Sequence, residues 1–210
     1  MKYTIKEIFG PTIQGEGGMT GTVCAFVRMA GCNMWDGRPE TRAESECPFC
    51  DTDFYKGIKM SADAIVQQVE KMGVEWVTLS GGEPMLQLEK DPALVYQFHE
   101  TGIQVAIETN GSIAIPTEWE SKIAHLTVSP KQPEIKQWGA DTLKILYPHP
   151  TIDPLAFDNY PARNLYVQPV EPPSGDAEEW KWNTKAALAF CYRNPHWKLS
   201  AQVHKWIDVK

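Results

Sequence analysis

Between residues 74 and 169 the chain repeats one plan, a short apolar run that stops at a cluster of polar residues, and no other feature constrains its fold as strongly. Val74 to Leu79 runs into Ser80-Gly81-Gly82-Glu83-Pro84, and Ile103 to Ile107 into Glu108-Thr109-Asn110-Gly111. His125 to Val128 ends in Ser129-Pro130-Lys131, Thr142 to Leu146 carries Lys144, and Asn164 to Val167 ends in Gln168-Pro169. Apolar runs of this length, bounded by Gly and Pro, read as buried strands. Helical patterns punctuate them. Ser61 to Met72 offers Ser61 as cap, Asp63 at the positive end, an apolar stripe of Ile65, Val66 and Val69, and Gly73 as its stop. A second helix has Asp91 as cap, Pro92 at its first position and Gly102 at its close.

A strand or hairpin (Tyr3 to Phe9, then Thr22 to Met29) precedes this region, and a helix from Ala177 to Tyr192 and a strand around Trp197 to Ala201 follow it. The alternation predicts an α/β fold of mainly parallel strands. About six such strands are too few to close an eight-stranded barrel, so the expected architecture is an open, partial (β/α)6-type barrel. No repeat or linker divides residues 1–210, which read as a single domain. In parallel sheets ligands bind at the carboxyl ends of the strands, so the polar turns point to one shared site.

The cysteines carry the chemistry. Five of them (24, 32, 47, 50 and 191) make a disulfide framework a poor reading and metal binding a better one. Cys47-Pro48-Phe49-Cys50 brings two thiols together, and Cys32 lies upstream across an insert of residues 33–46. A Cys-x-x-Cys pair suits zinc nearly as well as an iron–sulfur cluster, but structural zinc wants a fourth ligand, and no His or Cys stands nearby at a matching spacing. Three thiolates on a four-iron cluster would leave one iron free. A thioredoxin-like role fits the pair less well. Cys24 and Cys191, in apolar segments, read as small buried hydrophobes.

The formal net charge of −7 argues against a protein that coats phosphate backbones, and thus against nucleic acid as the partner. No run approaches the roughly 20 apolar residues of a membrane helix. The first residues show no signal-peptide pattern, so a cytoplasmic enzyme acting on a small molecule is expected.

Three loop cysteines with an aromatic just before the third, then Gly-Gly-Glu-Pro after the next strand and a polar rim, resemble the radical S-adenosylmethionine (radical SAM) superfamily. That resemblance implies a 4Fe-4S cluster on Cys32, Cys47 and Cys50, with S-adenosylmethionine chelated at the open iron and cleaved to a 5′-deoxyadenosyl radical. It also implies a cofactor pocket made by Phe49, Gly81, Gly82, Glu83, Glu108, Ser129, Lys131 and Gln168. Glycines allow close backbone approach, and the Glu83 carboxylate suits the methionyl ammonium.

The superfamily's usual spacing places three residues between the first two cysteines, where this chain has fourteen. Thr12-Ile13-Gln14-Gly15-Glu16-Gly17, Arg28, the cysteine loop, the strand-end motifs and Gln202-Val203-His204-Lys205 together resemble the 7-carboxy-7-deazaguanine synthase family, which tolerates the expanded spacing. This second resemblance implies ring contraction of 6-carboxy-5,6,7,8-tetrahydropterin to 7-carboxy-7-deazaguanine with loss of ammonia, in queuosine and 7-deazapurine biosynthesis. The substrate residues it implies are Ile13, Gln14, Gly15, Glu16, Arg28, Ser80 and His204, with Arg28 as the cation for the substrate carboxylate. A magnesium ion at Thr52, an electron-donor protein such as flavodoxin, and a homodimer are implied too. The dimer would draw on the aromatics Trp35, Trp180, Trp182 and Trp206, which read as exposed. Two rival readings are a small radical SAM activase of a glycyl radical enzyme and a non-catalytic zinc-binding module.

Overall fold

The computed structural model describes residues 2–210. In chain order the elements are β1 (Tyr3–Ile13), β2 (Val23–Met29), β3 (Ile58–Met60), α1 (Ala62–Glu70), β4 (Trp76–Gly81), α2 (Met85–Leu88), α3 (Ala93–Glu100), β5 (Gln104–Thr109), β6 (His125–Val128), β7 (Ala140–Tyr147), β8 (Ala162–Pro169), α4 (Ala177–Arg193), β9 (Trp197–Leu199) and α5 (Val203–Trp206). One sheet takes all nine strands in the order β3-β1-β2-β4-β5-β6-β7-β8-β9, and its two ends do not meet. From β2 through β9 every neighbouring pair is parallel, while β1 runs antiparallel to both β2 and β3.

The open, mainly parallel α/β sheet is the one expected, with three differences of detail. Its parallel run has seven strands rather than about six. The strand β3 was not foreseen, because three residues with Ile58 largely exposed carry no apolar signal. Several crossovers also lack a full helix: short 3-10 turns at Thr117–Lys122 and Pro154–Phe157 stand before β6 and β8, and Trp119, Pro154 and Phe157 are the side chains those turns bury.

Each central strand has two unlike faces. Val77 and Leu79 of β4, Val105 and Ile107 of β5, and the partly buried Leu126 of β6 pack with α1 and α3 in one core, which includes Ile65, Val69, Leu94 and Phe98. Val128, Leu143, Ile145 and Val167 join α4 and Trp197 in a second. The alternate positions, Ser80, Glu108, Thr127, Thr142, Lys144 and Gln168, point to the opposite face, as period-two alternation requires. Register aligns them into a row, with Arg28 beside Ser80, Glu108 beside Thr127, Thr127 beside Thr142 and Leu146 beside Gln168. Polar groups therefore cover a concave surface as well as the strand ends.

Helix starts are set by local chemistry. Ser61 Oγ accepts from the Ala64 amide at the head of α1, and the Asp176 carboxylate accepts from the amides of Glu178 and Glu179 at the head of α4. At α3 the Asp91 carboxylate accepts from the Ala93 amide across Pro92, so the helix begins one residue later than the sequence suggests. Trp182 and Trp206 are exposed and Trp180 partly so, but Trp35 is buried, contrary to expectation. Its indole packs edge-on against Phe54 at 5.6 Å.

Candidate active site

A cavity of about 870 Å³ opens over the concave face and the carboxyl ends of the strands. Every residue expected at the site borders it except Glu83. The volume lies near the upper end of small-molecule sites and leaves room for two ligands side by side.

Cys32, Cys47 and Cys50 share one wall of this cavity. The neighbouring Cys47 thiol chiefly draws Cys50 down to about 7, and Cys50 in turn pushes Cys47 well above the usual thiol range. One of the pair is thus poised as a thiolate, the form that binds metal. Among the described residues no three His, Cys, Asp or Glu side chains, these cysteines included, converge closely enough to hold a single ion. A four-iron cluster takes its thiolates from separated points, and three cysteines on one wall fit that donor set. Burial raises the thiols of Cys24, to about 11, and Cys191; Cys24 is buried as expected, whereas Cys191 is only partly buried.

Beside Cys32 the glycine turn is pressed against the chain that leads to that cysteine. The Gly82 amide donates to Met29 O at 3.2 Å and the Glu83 amide to Gly31 O at 2.9 Å. A Cβ on Gly82 would stand 2.2 Å from Gly31 O and 2.8 Å from Cys32 Cβ, so only glycine permits this approach. Such a cradle beside Cys32 fits a group bound at the cluster's edge. Glu83 turns the other way. Fully buried, its carboxylate accepts from the Met85 amide, Thr109 Oγ1 and the Asn110 amide at 2.7 to 2.9 Å, and so ties β4 to the end of β5. Burial raises its pKa, and these donors oppose the rise. Asn110 in turn reaches the insert by donating to Asn33 Oδ1.

On the concave face Glu108 accepts from Gln14 Nε2 at 2.8 Å and from Ser80 Oγ at 2.9 Å, which joins β5, β4 and the turn after β1. Glu16 is ion-paired with Lys144 and accepts from Gln202 Nε2 at 2.8 Å. Burial alone would raise Glu16, but the Lys144 ammonium overrides it and holds the carboxyl at about 2. Lys131 donates to Ser129 Oγ at 2.7 Å; burial lowers its pKa, and the nearby cysteines pull it back up. Gln168 accepts from Ser200 Oγ, whose oxygen also accepts from the Gly17 amide.

Arg28 lies 3.0 Å from Glu7 with its guanidinium over the Phe9 ring, and its buried Nε makes no hydrogen bond. Glu7 also pairs with Lys210, so these three groups carry a surplus of one positive charge on the cavity wall. His204 packs on Gly15, where a Cβ would stand 2.1 Å from Nδ1, and the Val203 amide donates to Gly15 O. Thr52 Oγ1 faces Asp51 Oδ1 at 3.3 Å, and Asp51 also meets Gln202 and Lys205.

Sequence reasoning missed Lys144 as a site residue, because it sits inside a strand that reads as apolar. It also missed His149, whose ring meets Phe49 edge-on at 4.9 Å, and the bridging roles of Gln202 and Lys205. Period-two alternation within Thr142 to Leu146 was the available signal for Lys144. Nothing local marks His149.

The family model of the Radical SAM superfamily matches residues 42–150. A 7-carboxy-7-deazaguanine synthase from Caulobacter vibrioides is 38% identical over 226 aligned positions, covering 100% of each chain. Another from Burkholderia multivorans is 39% identical over 222 positions with the same coverage. A crystal structure of QueE from Escherichia coli is similar with a TM-score of 0.65 over 95% of this chain and 93% of that one; at 20% identity this likeness speaks for the fold. With a cavity whose walls carry three cysteines, a glycine cradle and a polar concave face, and with relatives that match from end to end, the chain belongs to the radical SAM superfamily and, within it, to the 7-carboxy-7-deazaguanine synthase family.

Proposed function

We propose that this chain is a radical SAM lyase that converts 6-carboxy-5,6,7,8-tetrahydropterin to 7-carboxy-7-deazaguanine with ring contraction and loss of ammonia. One observation carries the reading at the level of residues: the polar concave face and the three cysteines border the same cavity. Cys32, Cys47 and Cys50 would hold a 4Fe-4S cluster, which with S-adenosylmethionine supplies a 5′-deoxyadenosyl radical on reduction.

The chain's own groups would position and shield. Gly81 and Gly82 let the cofactor's methionyl end approach the backbone, while Ser129, Lys131, Gln168 and Phe49 surround the remainder. Glu108 has accepting capacity left for ribose hydroxyls beyond the bonds from Gln14 and Ser80. Glu83, bonded on the far side of the turn, would act by holding the turn in shape.

The pterin would lie against Ile13, Gln14, Gly15, Glu16, Ser80 and His204. Its carboxylate would meet Arg28, where the local charge is net positive. Thr52 would give magnesium one hydroxyl, with the other oxygens coming from substrate and water. Among the described residues no helix is long and apolar enough to cross a membrane. A cytoplasmic location, a homodimer and a flavodoxin-type electron donor complete the proposal.

The test is anaerobic turnover of cluster-reconstituted protein with S-adenosylmethionine, reductant, magnesium and the pterin, read by mass for 5′-deoxyadenosine and the deazapurine acid. Both products together support the reading. Deoxyadenosine alone would discard the substrate, and neither product from a protein with an intact cluster would refute the catalytic assignment.

A further inference from the structure

The residues between Cys32 and Cys47 do not loop away from the site. Met34, Trp35, Gly37, Pro39 and Arg42 border the same cavity as the cysteines. The insert is also internally satisfied. Asp36 Oδ1 accepts from the Arg38 amide and from Thr41 Oγ1, a 3-10 turn spans Pro39–Glu44, and the Glu46 amide returns to Met34 O at 3.2 Å. Trp35 is its keystone. Its Nε1 donates to Arg38 O and Thr41 Oγ1, both at 3.1 Å, and its ring meets Phe54 nearly at right angles and the Arg42 guanidinium, whose carbon is 4.2 Å from the ring centre.

From that seat Arg42 Nη1 donates to Cys50 O at 2.7 Å and to Pro48 O at 3.3 Å. We infer that Arg42 is a positioning residue of the cluster centre: seated on Trp35 and bonded to the carbonyls of Pro48 and Cys50, it fixes the Cys47–Cys50 loop and holds a positive charge beside the Cys50 ligand. The inference rests on the proposed cluster.

Two effects follow. The loop that presents two of the three thiolates is braced by charge-assisted bonds to its main chain, and the brace is anchored in a buried ring rather than in solvent. A fixed cation beside the cluster also favours the electron-rich reduced form and raises its potential, since charge and hydrogen bonding around a cluster set that quantity. A lysine would keep the charge but lose the planar stack and the geometry of the guanidinium donors.

The experiment compares Arg42→Met, Arg42→Lys and wild type after anaerobic reconstitution, reading the midpoint potential by dye-mediated titration and the rate of iron loss to a chelator. Alkylation of Cys47 and Cys50 in the cluster-free chain is followed by mass as a readout independent of cluster and turnover. Arg42→Met is expected to have a more negative potential, iron loss faster by several-fold and faster alkylation of both thiols. Arg42→Lys is expected to keep a near wild-type potential while losing iron and alkylating faster than wild type. A wild-type potential in Arg42→Met, or a shift in Arg42→Lys as large as in Arg42→Met, would overturn the electrostatic role, and unchanged alkylation in both variants would overturn the brace. Failure of the wild-type chain to take up a cluster would instead refute the underlying assignment.

Discussion

Replacing Lys144 by Met should cost this protein roughly 3 kcal/mol of stability, because it strands a buried carboxylate. Lys144 and Glu16 expose only 8% and 17% of their side chains, so solvent screens their attraction little. Burial would raise the Glu16 carboxyl, and the Lys144 ammonium chiefly holds it at about 2 against a usual 4.5, so without that cation the carboxylate is left buried and unpaired. Breaking a buried pair by removing one partner costs about 3–5 kcal/mol.

In a chain of this size about 3 kcal/mol lowers the melting midpoint by roughly 6–12 °C. The assay is a circular dichroism melt of the cluster-free chain, whose cysteines the pair does not touch, across a pH series. Because the folded pKa of Glu16 is depressed, its contribution is full above about 4.5 and drains away as pH falls toward about 2. The deficit of Lys144→Met should therefore be largest near neutrality and shrink on acidification. Adding Glu16→Gln to Lys144→Met should restore much of the loss, since no charge is then left unpaired. A midpoint within 2 °C of wild type at neutral pH, or a deficit that does not change with pH, would refute the reasoning.

Replacing Cys32, Cys47 or Cys50 by Ala should abolish cluster assembly, while Cys24→Ala, within the buried strand β2, should leave the cluster spectrum intact; iron and sulfide analysis separates the two results. Gly82→Ala drives a methyl into Gly31 O and Cys32 Cβ, so it should lower both cluster occupancy and S-adenosylmethionine cleavage without unfolding the chain, as reconstitution and circular dichroism would report. Burial, aided by Lys131, pushes His149 down to about 4, and its Nδ1 accepts from the amides of Thr151 and Ile152, so the folded ring is neutral near pH 7. Its contribution to stability should be intact above about 6.5 and be lost as pH falls toward about 4, an acid sensitivity that His149→Phe should reduce in pH-dependent melts.

The sheet was legible because its strands obey simple rules. Apolar runs of similar length ended in Gly, Pro and polar residues, and β4 through β8 stand where those runs stand, with β6 matching its run and the other ends shifted by one or two residues. The face on which chemistry is placed was less legible. Lys144 sits among Leu143 and Ile145, and its direction is fixed by register with Tyr166 and by the ion pair with a residue 128 positions earlier. The seat of Trp35 under Arg42 arises within an insert whose composition is that of a polar loop. Glu83 is the reverse case: its place after the glycine pair is plain in the sequence, but its carboxylate is consumed by β5.

Because Gln202 meets Glu16 and Val203 meets Gly15 across more than 180 residues of chain, the cavity gains that wall only when its most distant segments join. During synthesis the three cysteines and the glycine turn emerge from the ribosome long before residues 202–210. A nascent chain at that stage has ligands for iron but an unfinished chamber around them. Contacts of such long sequence separation also form slowly, since closing the loop costs entropy before any contact repays it. Cluster delivery to the finished polypeptide would therefore keep a reactive centre from sitting open to water while the last wall is still being made.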